Sequence, residues 1–134
     1  MTTQYDLTYR STTMSDLVSR LGTTPYLLLY TGAQPANCAA SATGTLLASL
    51  PGSNPAGTVA SGELTFSAFT TENATASGTA GYYRLCTSAA GTTCIQQGSC
   101  GLSGSGADLI LDNTSIASGQ PFSVTSWTIT AYGA

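Results

Sequence analysis

The stretch 82–97, Tyr-Tyr-Arg-Leu-Cys-Thr-Ser-Ala-Ala-Gly-Thr-Thr-Cys-Ile-Gln-Gln, narrows the folds open to this chain more than any other. Aromatic and β-branched residues flank a Ser-Ala-Ala-Gly cluster, the sequence signal of a β-hairpin. A three-residue loop, Ala89-Ala90-Gly91, puts glycine where the backbone needs a positive φ. In that register Leu85 faces Ile95, and Cys86 faces Cys94 on the other side of the ribbon. An isolated two-stranded ribbon is at best marginally stable in water. The rest of the chain must therefore supply further strands and cover.

It does so in short pieces. After Pro25, Tyr26-Leu-Leu-Leu-Tyr30 is a continuous apolar run bounded by Pro and Gly. It reads as a strand buried on both faces, or on one face with a helix over the other. A loop over 31–43 leads to a strand at about 45–50, with Leu46, Ala48 and Leu50 on one face. Pro51, Asn54, Pro55 and Gly57 then break the chain. Residues 63–69 alternate, with Leu64, Phe66 and Ala68 inward. After the hairpin, the glycine- and serine-rich segment 98–106 reads as a flexible loop. Residues 108–112 place Leu109 and Leu111 on one face and both aspartates on the other. In the last strand, 122–132, Phe122 and Val124 have one parity and Trp127, Ile129 and Ala131 the other, which a bulge near Ser126 reconciles. Seven or eight short strands with turn chemistry between them make an all-β chain, a single β-sandwich or jelly-roll-like domain.

The N-terminal residues differ. Residues 1–10 show no period and read as an arm. Met14, Leu17, Val18 and Leu21 then fall at i, i+3, i+4 and i+7, the stripe of an amphipathic helix over 11–21. Ser11 or Thr12 can cap its start and Gly22 its end. Three turns are too few to stand alone in water, so the stripe either packs on the chain's own sheet or touches a partner. The chain thus divides into an arm and helix, 1–24, and a sandwich, 25–134, expected to fold by itself.

Composition excludes more than it specifies. Thr, Ser, Ala and Gly supply 73 of 134 residues, nine side chains carry formal charge, and lysine and histidine are absent. An apolar fraction of 42% with a net charge of −3 argues for a globular chain against a disordered one. Arg10, Arg20 and Arg84 are too few to neutralise a phosphate backbone, so nucleic acid is not an expected partner. Nor is a membrane, since no apolar run approaches the length of a span. Residues 1–6 have neither the basic nor the apolar part of a secretory signal, so synthesis in a cytoplasm is expected.

Chemistry has little to work with. Without histidine the commonest general base and a Ser-His-Asp triad are absent, and without lysine so are Ser-Lys dyads and Schiff bases. Asp108 and Asp112 share a strand face, but four residues separate them by roughly 13 Å, too far for a glycosidase pair. They read as solvated edge charges that discourage strand aggregation. No catalytic residue, cofactor or metal site is expected. Cys38, Cys86, Cys94 and Cys100 are spaced wrongly for a paired zinc site. They read either as reduced, packed small side chains or as containing a Cys86–Cys94 bridge set by the hairpin register.

From about residue 27 to 131 the chain resembles small structural proteins of tailed bacteriophages, the capsid decoration or cement proteins. The resemblance rests on Tyr30-Thr-Gly-Ala-Gln-Pro-Ala, Thr43-Gly-Thr-Leu-Leu-Ala, and Asn54-Pro-Ala-Gly before Gly62-Glu-Leu-Thr-Phe. It continues through Ala76-Ser-Gly-Thr-Ala-Gly-Tyr-Tyr-Arg, Gly106-Ala-Asp-Leu, Asn113-Thr-Ser-Ile and Val124-Thr-Ser-Trp-Thr-Ile-Thr-Ala. It implies a jelly-roll-like virion protein on the outside of an icosahedral shell, bridging and stabilising neighbouring subunits of the major capsid protein. It further implies self-association on the capsid as a dimer or trimer. Similar stretches occur in tail and fibre components, so the alternative is a tail-tip or fibre module that binds host-surface carbohydrate. Tyr82, Tyr83 and Trp127 would be its sugar-stacking aromatics, unless they pack in the core. On the decoration reading the arm and the Met14, Leu17, Val18 and Leu21 stripe are the candidate anchor, with the loops 31–43, 51–61 and 98–106 as the other contact surfaces.

Overall fold

A computed structural model describes residues 3–133, so Met1 and Thr2 of the expected arm lie outside the described residues. The chain is mainly β with one helix, α1 (Leu7–Leu21). In order, the strands are β1 (Tyr26–Thr31), β2 (Leu46–Pro51), β3 (Gly57–Ala60), β4 (Glu63–Phe66) and β5 (Glu72–Asn73). They continue as β6 (Gly78–Cys86), β7 (Cys94–Gly101), β8 (Leu109–Ile110), β9 (Ser115–Ile116), β10 (Pro121–Phe122) and β11 (Trp127–Thr130). The largest sheet runs β2-β1-β6-β7-β8, with β9 against the start of β6. Its pairings are antiparallel except β7 with β8, which is parallel. A second sheet is β11-β4-β3, and β5 pairs with β10.

One core joins the helix and these sheets. The largest sheet contributes Leu27, Leu29, Leu50, Tyr83 and Leu85, the second sheet Leu64, Phe66 and Trp127, and the helix Met14, Leu17 and Leu21. Trp127 stacks on Phe66 at 4.7 Å and meets Tyr83 edge-on at 4.9 Å, favoured geometries for aromatic pairs. β1 is paired along both edges, by β2 and β6, and its apolar run is also buried on both faces. Leu27 and Leu29 enter this core, while Leu28 and Tyr30 enter a smaller layer with Tyr82 and Cys86.

The helix begins earlier than its apolar period. Asp6, not Ser11 or Thr12, is the cap, and its carboxylate accepts from the Tyr9 N–H at 2.7 Å. Gly22 ends the helix as expected, at φ 70°, with its N–H donating to the Ser19 carbonyl. Leu7 keeps the seven-residue spacing of Met14 and Leu21 but is half exposed, and Tyr9 is exposed on the opposite side, while the inward positions between Leu7 and Met14 are Arg10 and Ser11, so the apolar stripe is broken there.

Register shifts account for most of the other departures. The hairpin pairs Cys86 with Cys94 as the sequence suggests, but a bulge sets Leu85 opposite Gln96, leaving Ile95 unpaired. The turn spans 87–93, and Gly91 is its left-handed residue at φ 69°. A shift between Leu29 and Tyr30 skips Leu47, so Leu46 joins the smaller layer while Ala48 and Leu50 stay in the main core. The alternation from Glu63 ends at Phe66, where the chain leaves the sheet. Ala68 is exposed and Phe69 turns inward, its N–H donating to the Val124 carbonyl at 2.9 Å. At 123–126 the phase change is a transfer between sheets, from the β5 partner to the β4 partner, and not a bulge.

The segment read as a flexible loop, 98–106, starts as strand. Gly98 is buried on β7, where only glycine fits, because a Cβ there would lie 2.7 Å from the Tyr83 ring and 2.8 Å from the Asp108 carboxylate.

Candidate partner-contact surface

The apolar helix stripe is not a contact surface. Met14, Leu17 and Leu21 are buried in the core with the sheets, and Val18 is partly buried against it. A short helix gains its stability from such packing, and here the chain's own strands provide it. Removing residues 1–24 would therefore take three side chains out of the core.

Exposed apolar side chains gather instead at the start of α1, whose outer face is otherwise polar. Tyr5, Leu7 and Tyr9 are exposed, and the Tyr5 and Tyr9 rings stack at 4.5 Å. The Tyr5 N–H donates to the Gly133 carbonyl at 2.7 Å, which brings the last residues alongside the first. Tyr132 precedes that contact and is 76% exposed. A Cβ at Gly133 would overlap the Tyr5 ring. Residues 5–10 are thus held in place, by the Tyr5 bond to Gly133 and by the capped helix.

The sugar-stacking candidates are absent from the surface. Tyr82, Tyr83 and Trp127 are all buried, so none offers a ring face to solvent.

Of the three candidate loops, 31–43 is the most constrained. It lies over the Leu28, Tyr30, Tyr82 and Cys86 layer and is held by side chains from β6 and β7. The Tyr82 hydroxyl donates to the Thr43 carbonyl at 2.6 Å and accepts from the Thr43 N–H at 3.0 Å. Arg84 is only 2% exposed. Its Nη2 donates to the carbonyls of Ala40 at 2.8 Å and Asn37 at 3.4 Å, and its Nε donates to Gln97 Oε1. Gln97 Nε2 in turn donates to the Pro35 carbonyl at 2.7 Å. The guanidinium's partners are all neutral oxygens, two loop carbonyls and the Gln97 side-chain amide. Beside them Cys38 is joined to Cys94 in a disulfide with a Cα–Cα separation of 5.3 Å. Both readings of the cysteines are therefore corrected: Cys38 and Cys94 are not reduced, and the bridge joins Cys94 to the loop and not to Cys86, which leaves Cys86 and Cys100 as free thiols. Position in the ladder favoured the nearer pair, but the folded loop brings Cys38 to the same sulfur from 56 residues away.

The expectation that both aspartates are merely solvated also changes. Asp112 is exposed, but Asp108 Oδ2 accepts from the Ser99 N–H at 3.0 Å and from the Ser99 hydroxyl at 3.2 Å, tying β8 to β7. The strongly perturbed groups nearby are proton donors. Burial and then Asp108 push the Tyr83 phenol well up, and its hydroxyl donates to Gln96 Oε1. Burial, with Asp108 adding to it, pushes the Cys100 thiol up to about 12. Among the described residues no group of three Cys, Asp or Glu side chains is placed to hold a metal ion.

A polar groove of about 360 Å³ opens between the β8–β9 connection and the 120–126 segment, with Asp112, Asn113, Gln120 and Ser126 on its walls. It has no buried charged group to fix a ligand. The chain matches no family model, no curated protein and no solved structure.

Proposed function

We propose that this chain is a structural virion protein of a tailed bacteriophage. On this reading it decorates the outer surface of the icosahedral capsid, bridging and stabilising neighbouring subunits of the major capsid protein. Its body is a jelly-roll-like sandwich of the two larger sheets, it associates with copies of itself on the shell, and it catalyses no reaction. The motif resemblance supports this, as does a hydroxyl-rich surface with few charges. Such a surface binds through shape, backbone and apolar contact, and repetition on a symmetric shell multiplies weak contacts by avidity.

The observation that carries the anchoring part is the group of exposed apolar side chains where the helix starts, Tyr5, Leu7 and Tyr9, together with the exposed Tyr132 next to the Gly133 that Tyr5 bonds. The N-terminal segment keeps its place as the anchor, through residues other than the Met14 stripe. The rival reading, a carbohydrate-binding tail or fibre module, loses its three aromatic candidates to the core.

The test is co-sedimentation of the full chain with isolated phage heads, beside the Leu7→Ser/Tyr9→Ser double variant. Both positions are about half exposed, so folding should be unaffected. The parent should sediment with heads, and the variant should dissociate about tenfold faster, since related interfaces differ mainly in off-rate. A parent that does not bind heads, or is found on tails alone, overturns the decoration reading. A variant that leaves heads no faster than the parent removes the patch as the anchor.

A further inference from the structure

Three of the four cysteines meet in the smaller apolar layer. Cys38 and Cys94 form the disulfide, Cys86 is fully buried and free, and Cys86 and Cys94 are ladder partners across the hairpin. The Thr87 N–H donates to the Thr93 carbonyl, which makes 87 and 93 a hydrogen-bonded pair. Antiparallel pairs alternate, so 86 and 94 are a non-hydrogen-bonded pair, the kind whose Cα atoms approach to about 4.5 Å with side chains close together. That spacing is within the range of a disulfide. Cys94 therefore has two cysteines within bonding reach, one on the covering loop and one on the neighbouring strand.

We propose that Cys94 is shared by two alternative disulfides, and that exchange between them releases the covering loop at 32–45 while stapling the hairpin. The Cys86 thiol gives its proton to solvent and its thiolate attacks Cys94 Sγ. The Cys38–Cys94 bond breaks, its electron pair leaves on Cys38 Sγ, and Cys38 takes a proton from solvent. One disulfide is lost and one is formed, so no oxidant or reductant is consumed.

The environment of Cys86 sets when this happens. Burial raises its pKa, with Arg84 opposing, so the thiol is held protonated and the loop-bridged form persists near neutral pH. The titratable and charged groups around it are Tyr26, its ladder partner on β1, together with Tyr30, Tyr82 and Arg84 of the same face. The covering loop brings no ionisable side chain other than Cys38 itself. Raising the pH, or loosening the loop, should therefore promote the exchange.

The test uses the full oxidised chain and the shortage of basic residues. Trypsin can cut only after Arg10, Arg20 and Arg84, giving fragments 21–84, which holds Cys38, and 85–134, which holds the other three cysteines. Protein kept without reductant at about pH 7 or about pH 9 is quenched with acid, alkylated with maleimide under denaturing conditions, digested and weighed. Before incubation the two fragments should remain linked. After the alkaline incubation fragment 21–84 should come free carrying one maleimide on Cys38. Cys86→Ala, or Cys86→Val where alanine fails to fold, should keep the fragments linked, and Cys100→Ala should behave as the parent. The proposal is overturned if the fragments of the parent stay linked throughout. It is equally overturned if they separate as readily in the Cys86 variants, or only when Cys100 is present.

Discussion

Replacing Leu21 with alanine separates a helix that belongs to the core from one that merely rides on the surface. Leu21 is the last residue of α1 and is 0% exposed, in a core it shares with Leu64, Phe66 and Trp127. Leu-to-Ala changes at enclosed sites cost about 2–5 kcal/mol, the transfer of the lost atoms plus the cavity left behind. Helix propensity does not contribute, because alanine is at least as good a helix former as leucine. At about 3–5 °C per kcal/mol for a chain of this size, the melting temperature should fall by about 6–25 °C. Thermal and urea unfolding followed by circular dichroism would measure it, with the exposed Leu7→Ala as control, expected within about 0.5 kcal/mol of the parent. A Leu21→Ala variant that melts within a degree or two of the parent would refute this, since the helix would then be dispensable to the fold.

Two further outcomes follow from the hairpin and from β7. Gly91→Val should destabilise the chain by about 1–3 kcal/mol, because a β-branched residue resists φ 69° and its Cβ would lie 3.1 Å from both Leu28 Cδ2 and the Tyr30 hydroxyl. Unchanged melting would mean that the turn takes another conformation. The Cys100 thiol, pushed up to about 12 by burial from an ordinary value near 9, should resist iodoacetamide at mildly alkaline pH. Its folded pKa is the higher one, so its share of stability is intact below the unfolded pKa and is lost as pH rises from about 9 to about 12. Melting temperature measured across that window should fall less in Cys100→Ala than in the parent.

The sequence discloses what depends on neighbours in the chain. The burial of 26–30 follows from an apolar run that no single-faced strand would carry, and the helical stripe names the side chains that are buried. Gly91 is legible because few residues tolerate its backbone. What the stripe could not reveal was its destination. Met14 and Leu21 have the same spacing whether they face strands of their own chain or a capsid, and only the closed fold distinguishes the two. The helix start was hidden because Arg10 and Ser11 fill the inward positions between Leu7 and Met14 and interrupt the apolar stripe, while Asp6 caps from outside it. Parity failed wherever a bulge intervened, at Leu46 and at Ile95, because a bulge leaves no mark in a Ser/Thr/Ala-rich sequence. The Cys38–Cys94 link and the Arg84 clamp join residues some 50 positions apart, through a loop whose composition says nothing of where it lies. A hint was present in β6, where Arg84 has the parity of Tyr82 and Cys86 on a strand whose both faces are apolar.

The placement of β1 beside β6 has a consequence for how the chain is made. Residues 32–77 separate the two strands, and the second must leave the ribosome before the largest sheet can close. With 55 residues between Thr31 and Cys86, at about 5–20 residues per second, the delay is about 3–11 s. During that interval Tyr26–Thr31 can pair with β2, but its other edge, flanked by Leu27, Leu28 and Leu29, stays open. Nascent chains crowded on one message would carry identical uncapped edges at the same time, a setting for strand exchange between copies. Slower translation between the emergence of β1 and that of β6 would lengthen that exposure, and faster translation would shorten it. Yield of folded protein should thus respond to codon choice in the part of the message read during that interval more than to changes elsewhere.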